Sequence, residues 1–408
     1  MKRHRLRTAL VRGALVIPLA VAVGDAAPAD ADQPRWRVEY EITELDSLGG
    51  TSSAGNSINN RGWVGGTSRE PVENAVRATL WRDGSPTDLG TLGGPNSAIL
   101  WPAKNSQGIV VGVTETADVD PLDEAWSCSV FFGVDTDRAC VGFVWERDEM
   151  QPLPTFGGTH GFATGVNNRG HVVGWAEVSD RDSTCNQTDQ FLGFLGALWD
   201  TRRDRMHELP PLPGGDTASA AVAINDRGQV VGISGDCSNA VGGFSARHAV
   251  MWEDGEVTDI GDLGGEAWNT PMAINQWGVV VGFANQAGTP GDDFNEEAFL
   301  WTERGGIRPL GMLDGDVRSE ALGVNNWGLV VGLSRGAAGD TAVIWRHAIW
   351  GGDDIVDLNT LAPDYDGHLD YAGDINDAGV ITGQAISATG EPVAFVATPR
   401  WRFDAGGR

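Results

Sequence analysis

The sequence predicts an all-β protein, a seven-bladed β-propeller of four-stranded antiparallel blades. Three observations carry that expectation. A motif of Asn, Gly, an apolar run and a second Gly occurs seven times. A Trp-ended strand and a Leu-Gly-Gly element accompany it in most copies. The two ends of the chain hold complementary fragments of one unit.

The motif reads most clearly at Ile274-Asn-Gln-Trp-Gly-Val-Val-Val-Gly-Phe283. Its Asn recurs at Asn59, Asn105, Asn167, Asn225, Asn275, Asn325 and Asn376, at spacings of 46, 62, 58, 50, 50 and 51 residues. Such periods belong to propellers, solenoids or arrays. Three residues on stand Gly62, Gly108, Gly170, Gly228, Gly278, Gly328 and Gly379. Asn starts a turn by accepting from the backbone ahead of it, and Gly supplies a positive φ. The motif is therefore a tight hairpin. Its apolar run (Val279–Val281) suits a buried strand, and the trailing Gly lets a neighbouring strand approach closely.

The Trp strands are Ala78–Trp81, Gly142–Trp145, Gly196–Trp199, Ala249–Trp252, Ala298–Trp301 and Ala342–Trp345. The Leu-Gly element is plainest at Asp88–Gly94 and Asp259–Gly265. Each period thus holds four short strands, the content of one propeller blade. The chain opens on a Leu-Gly-Gly strand (Ile42–Gly50) and closes on a Trp-type strand (Ala394–Ala397). Pairing the two completes a seventh blade and closes the ring. A solenoid would instead want polar caps at both ends.

These repeats resemble the HAF-repeat family of extracellular proteins. The resemblance rests on Arg247-His-Ala-Val-Met-Trp252 and Glu297-Ala-Phe-Leu-Trp301 and covers about residues 38 to 398. The order of elements is also similar to kelch repeats. That likeness implies that the Asn strand is innermost, the Val-Val-Gly strand second, the Trp strand third and the Leu-Gly strand outermost. The family implies architecture and location, and no activity.

Residues 1–31 read as a signal peptide. Lys2, Arg3, Arg5, Arg7 and Arg12 precede a ten-residue apolar core, Ala14–Val23, and a small-x-small site at Ala29–Ala31. The core is too short to span a bilayer. Residues 32–408 are then a single propeller domain, secreted and monomeric, with no transmembrane segment. Removing 1–31 takes away five basic and two acidic residues, leaving 24 and 54, a net charge of −30. Such a surface repels phosphate backbones and argues against nucleic acid.

Long insertions follow the second strand in four consecutive repeats: 113–141, 175–195, 233–247 and 283–297. They share one face with the Gly-Gly returns, and elaborated loops on a rigid scaffold are where binding residues gather. Cys128, Cys140, Cys185 and Cys237 all lie in them. An even count in a secreted chain predicts two disulfides, with Cys128–Cys140 and Cys185–Cys237 preferred among three pairings. No Cys-x-x-Cys spacing supports zinc. Trp126 and Trp175 are candidates to stack on a sugar or partner side chain. Trp277 and Trp327, at matching hairpin positions, suggest packing or an opposite-face patch.

Asp118, Asp120 and Asp123, with Glu124, are candidate ligand-binding residues, as are Asp292, Asp293, Glu296 and Glu297. Oxygen-rich loops of this kind suit calcium, though neither matches an EF-hand. No cofactor is otherwise expected. Among the seven His no nucleophile elbow, zincin or phosphate-loop motif appears, so the catalytic assignment is none. The leading expectation is a binding module that recognises a carbohydrate or protein. The rivals are a carbohydrate-active hydrolase or lyase using loop carboxylates and a structural envelope protein.

Overall fold

Seven four-stranded antiparallel sheets close into a ring. The structure, a computed structural model, describes residues 35–71, 75–103, 105–124, 126–134, 136–238, 242–291, 293–346, 348–352 and 354–404. The stretch 1–31, expected to be a signal peptide, lies outside them. Blade 4 shows the plan: Ala218–Ile224 innermost, then Val230–Gly235, His248–Glu253 and Glu256–Asp259 outermost. Blade 7 is composite. Its inner three strands are His368–Ile375, Ile381–Ile386 and Pro392–Asp404, and its outer strand is the N-terminal Arg35–Glu44. The closure expected from the orphan ends is the closure found. Arg37–Arg402 fold as one compact unit.

The outermost strand runs into the Leu-Gly element as expected. It ends at Leu209 itself in blade 3, and at Asp88 in blade 1 and Asp259 in blade 4, one residue before the Leu or Ile. Leu89, Ile260 and Leu310 are buried, and their N–H groups bond to Ala78, Ala249 and Ala298 carbonyls at 2.8–3.0 Å. The element is an apolar peg that ends one blade and turns the chain inward. The repeat Trp packs against such turns. The indole N–H of Trp81, Trp199 and Trp252 donates to Asp46, Pro154 and Pro210 carbonyls at 2.7–3.0 Å. Each bond fastens a blade to the turn that enters it.

The seven motif Asn side chains do more than start turns. Each Oδ1 accepts two N–H groups of its own hairpin, as Asn325 does from Trp327 and Leu329, both at 3.0 Å. Each Nδ2 donates to the backbone carbonyl of the next blade's Asn: Asn59 to Asn105, Asn105 to Asn167, Asn167 to Asn225, Asn225 to Asn275, Asn275 to Asn325, Asn325 to Asn376, and Asn376 back to Asn59, at 2.6–3.1 Å. The bonds form an unbroken circle around the axis. All seven Asn are buried.

The two glycine positions act as the sequence implies. Gly228 closes its hairpin at φ +94°, and its six counterparts also have positive φ. Gly232 adopts ordinary backbone angles, but a Cβ there would overlap the Ala220 carbonyl oxygen of the adjoining strand. That carbonyl precedes a one-residue bulge in the innermost strand.

Candidate functional site

Antiparallel blades put their connections alternately at two ends. The Asn hairpins occupy one end of the ring and the insertions the other. The insertions of blades 2, 3 and 4 are welded together. Cys128–Cys140 staples the short helix Trp126–Phe132 to the strand Arg138–Glu146. Cys185–Cys237 joins the blade 3 and blade 4 insertions with Cα atoms 4.4 Å apart. Closing its 52-residue loop is worth about 4 kcal/mol in the chain-entropy account. Both pairings are those preferred from the sequence.

The helix is held over blade 3 by an aromatic row. Phe131 lies 4.5 Å from Phe162 and 5.6 Å from Trp101, and Phe162 stacks on Trp175 at 5.7 Å. Beside Phe131 opens a cleft of about 160 Å³, reaching across to blades 1 and 7. Ser52, Ser53, Thr67, Ser68, Arg69 and Gln384 supply its polar wall, and Leu100, Phe131 and Phe132 its apolar one. Phe131 is partly exposed, whereas Phe132 is buried.

Below the helix lies a buried polar cluster: Asp120, Glu124, His160 and Glu177. Asp120 accepts from the Leu122 N–H at 3.0 Å and from the Glu124 N–H. Glu124 Oε1 reaches into the blade 3 insertion and accepts from Phe191 and Leu192 N–H at 2.6 and 2.8 Å. Glu177 Oε2 accepts from Thr159 and His160 N–H at 3.0 and 2.8 Å. His160 Nε2 stands 3.2 Å from Asp120 Oδ2, and its Nδ1 accepts from the Cys140 N–H at 3.1 Å. Burial raises the Glu177 pKa to about 7 against the opposing field of His160. For Asp120, burial works upward, but the His160 contact and the backbone donors outweigh it and hold the pKa low.

The sequence candidates fare unequally. Asp120 enters the cluster, whereas Asp118 and Asp123 face solvent. Trp175 is 1 % exposed between Phe162 and Phe194, so its ring is core and offers no face to a ligand. The Trp126 side chain and Asp292 lie outside the described residues. Trp277 and Trp327 are not core: they are 72 % and 48 % exposed at the Asn-hairpin end. Each pins its indole N–H to the next blade, on Asn326 and Asp377 carbonyls at 3.0 and 2.8 Å. His160, Glu177 and Phe131 join the site without having been singled out. The one available signal was that Glu177 falls at the edge of the blade 3 insertion; His160 lies in the innermost strand of that blade, outside every insertion.

A second charged group occupies blades 5 and 6. Glu296 is fully buried with both carboxylate oxygens lacking a hydrogen-bond donor, and Arg318 Nε is 3.9 Å away. Burial, reinforced by the charge of Glu296, raises the Glu320 pKa from 4.5 to about 7. A raised folded-state pKa means the folded chain holds its proton longer than the unfolded chain. Stability is therefore full below about pH 4.5 and falls as pH climbs to about 7. Glu320→Gln removes that dependence. It is expected to stabilise the protein by about 2 kcal/mol at pH 8, a figure trimmed for partial exposure, and to be neutral at pH 4. Denaturant melts at the two pH values measure the difference. Equal shifts at both would refute the assignment.

No family model and no curated protein matches the chain, so the HAF-repeat likeness stays a resemblance in sequence. Among solved structures it is similar to the extracellular domain of a protein described as a hybrid two component system, BT4673, from B. thetaiotaomicron. The TM-score is 0.42 at 9 % identity, and the match covers 87 % of this chain and 39 % of that one. The chain thus spans about two-fifths of the length of the protein it matches.

Proposed function

We propose that this chain is a secreted binding module that recognises a carbohydrate through the cleft on its insertion face. The carrying observation is the cleft itself. A partly exposed Phe131 ring faces a wall of hydroxyl, amide and guanidinium groups. A pyranose presents that same pairing, an apolar CH face and a rim of hydroxyls, and few well-placed polar groups suffice to orient it. The disulfides support the reading, because a preorganised wall loses less entropy when it binds. They also fit an oxidising compartment. Among the described residues no helix is long and apolar enough to cross a membrane.

Retention of the purified full chain on a glycan array tests this. Phe131→Ala and Thr67→Arg, the latter filling the cleft, are each expected to reduce retention at least tenfold with the far-UV spectrum unchanged. Retention that survives both variants would remove the cleft from consideration. Breakdown of the retained glycan would favour the hydrolase reading, and no retention at all a protein partner.

A further inference from the structure

Two exposed Trp stand at the Asn-hairpin end of a chain whose net charge is −27. Trp277 and Trp327 sit two residues past the motif Asn in blades 5 and 6. Their indole N–H groups are spent on carbonyls of the next blade, which fixes the rings and leaves apolar surface facing solvent. A ring already held in place loses little entropy when a partner covers it. Trp and Arg are enriched among the anchor residues of protein interfaces. Arg61, Arg169 and Arg227 hold the same hairpin position in blades 1, 3 and 4, and all three are exposed.

The hairpins between third and fourth strands open on this end too, and they sort charge by blade. Blade 3 presents Arg169, Arg202, Arg203 and Arg205 against Asp200 and Asp204: four bases to two acids, a net +2. Burial holds the His171 pKa down, and Arg169, Arg203 and Arg202 push the same way against Asp200 alone. Blade 4 presents Asp226, Glu253, Asp254 and Glu256 against Arg227: one base to four acids, a net −3. Neighbouring blades thus carry opposite charge and nearly cancel, on a chain that is strongly acidic as a whole.

Such a face complements itself. A two-fold axis lying in it, along the boundary of blades 3 and 4, sets blade 3 of each copy on blade 4 of the other. The Arg sector then meets a Glu sector twice, once on each side of the axis. The same rotation lays blade 6 over the other copy's blade 1, so Trp327 meets the hairpin of Arg61, and a guanidinium over an indole face is favourable. We propose that the occupant of this face is a second copy of the chain, in a two-fold dimer joined at the Asn-hairpin ends. It replaces the monomer expected from the sequence. The overall charge opposes association, and a nearly neutral face bearing fixed aromatic rings offsets it. Both insertion faces then point outward, in opposite directions. Only the number of glycan clefts per dimer rests on the carbohydrate reading.

Sedimentation velocity of the purified full chain over a concentration series tests this. A concentration-dependent dimer is expected. Trp277→Ser combined with Trp327→Ser should weaken it about tenfold or more. Arg202→Glu with Arg205→Glu makes both sectors acidic, and Glu253→Arg with Glu256→Arg makes both basic. Neither of these charge variants should dimerise alone, whereas a mixture of the two should form dimers with one copy of each. Asp118→Arg, at the insertion end, should leave the dissociation constant unchanged. A wild-type chain that stays monomeric throughout the series would overturn the proposal. So would dimers that ignore both charge variants, or charge variants that fail to pair when mixed. Equal weakening by Asp118→Arg would assign the association to overall charge and overturn it as well. If the Trp variant does not fold, the mixing experiment decides, because its substitutions fall on exposed hairpins. Glycan retention is a separate readout, so its failure leaves the dimer standing.

Discussion

Asn325→Ala is expected to lower unfolding stability by about 3–5 kcal/mol. The substitution strands the Trp327 and Leu329 N–H groups, which are held at 3.0 Å, and takes a donor from the Asn376 carbonyl. An unsatisfied buried polar group costs about 1–3 kcal/mol, and two N–H groups are affected besides the lost bond between blades. Asn325→Asp separates the parts. It keeps the acceptor for both N–H groups but loses the donor and sets a carboxylate against a carbonyl. Its loss should therefore be smaller at pH 4, where a protonated carboxyl can donate, than at pH 8. Urea melts of both variants at the two pH values measure this. A loss under 1 kcal/mol for Asn325→Ala would mean that the circle of amides is incidental to stability.

Gly232→Ala should do comparable or greater harm by a different route. The atoms nearest the added Cβ are all backbone of the adjoining strand: the Ala220 carbonyl oxygen, Ala221 Cα and Ala220 C. No rotamer relieves a clash between two main chains, so the strands must part or the bulge must be rebuilt. We expect a loss of about 3 kcal/mol or more, or failure to accumulate folded protein. Gly255→Ala is the control. That glycine has φ +86° and open space around its Cβ position, so only backbone strain of about 1–2 kcal/mol applies. Similar melting temperatures for the two variants would contradict the close-approach account.

Those two predictions concern residues the sequence marked plainly, and the reason is local. A hairpin needs its Asn and its Gly within a few residues of each other, so their spacing survives in the chain. Closure was legible for the same kind of reason: a Leu-Gly strand without a partner at one end answered a Trp strand without one at the other. The cysteine pairs were legible because only a few pairings exist. The site was harder. Trp175 looked available because it borders an insertion, yet Phe162 and Phe194 enclose it from other strands. Asp118 and Asp123 looked equivalent to Asp120, but only Asp120 turns inward toward His160, forty residues further along the chain. Contacts of that range leave no period in the sequence.

The circle of asparagines also bears on how such a protein changes over generations. Every joint between neighbouring blades uses the same bond, and the last joint returns to the first. Gaining or losing one repeat would alter the angle at all seven joints together, including those far from the event. No intermediate with a partly adapted circle keeps its amides satisfied. Copy number is therefore held by a collective constraint, while the loops at the other end answer to none of it. Lineages descended from this chain should vary freely in insertion length and keep their blade count.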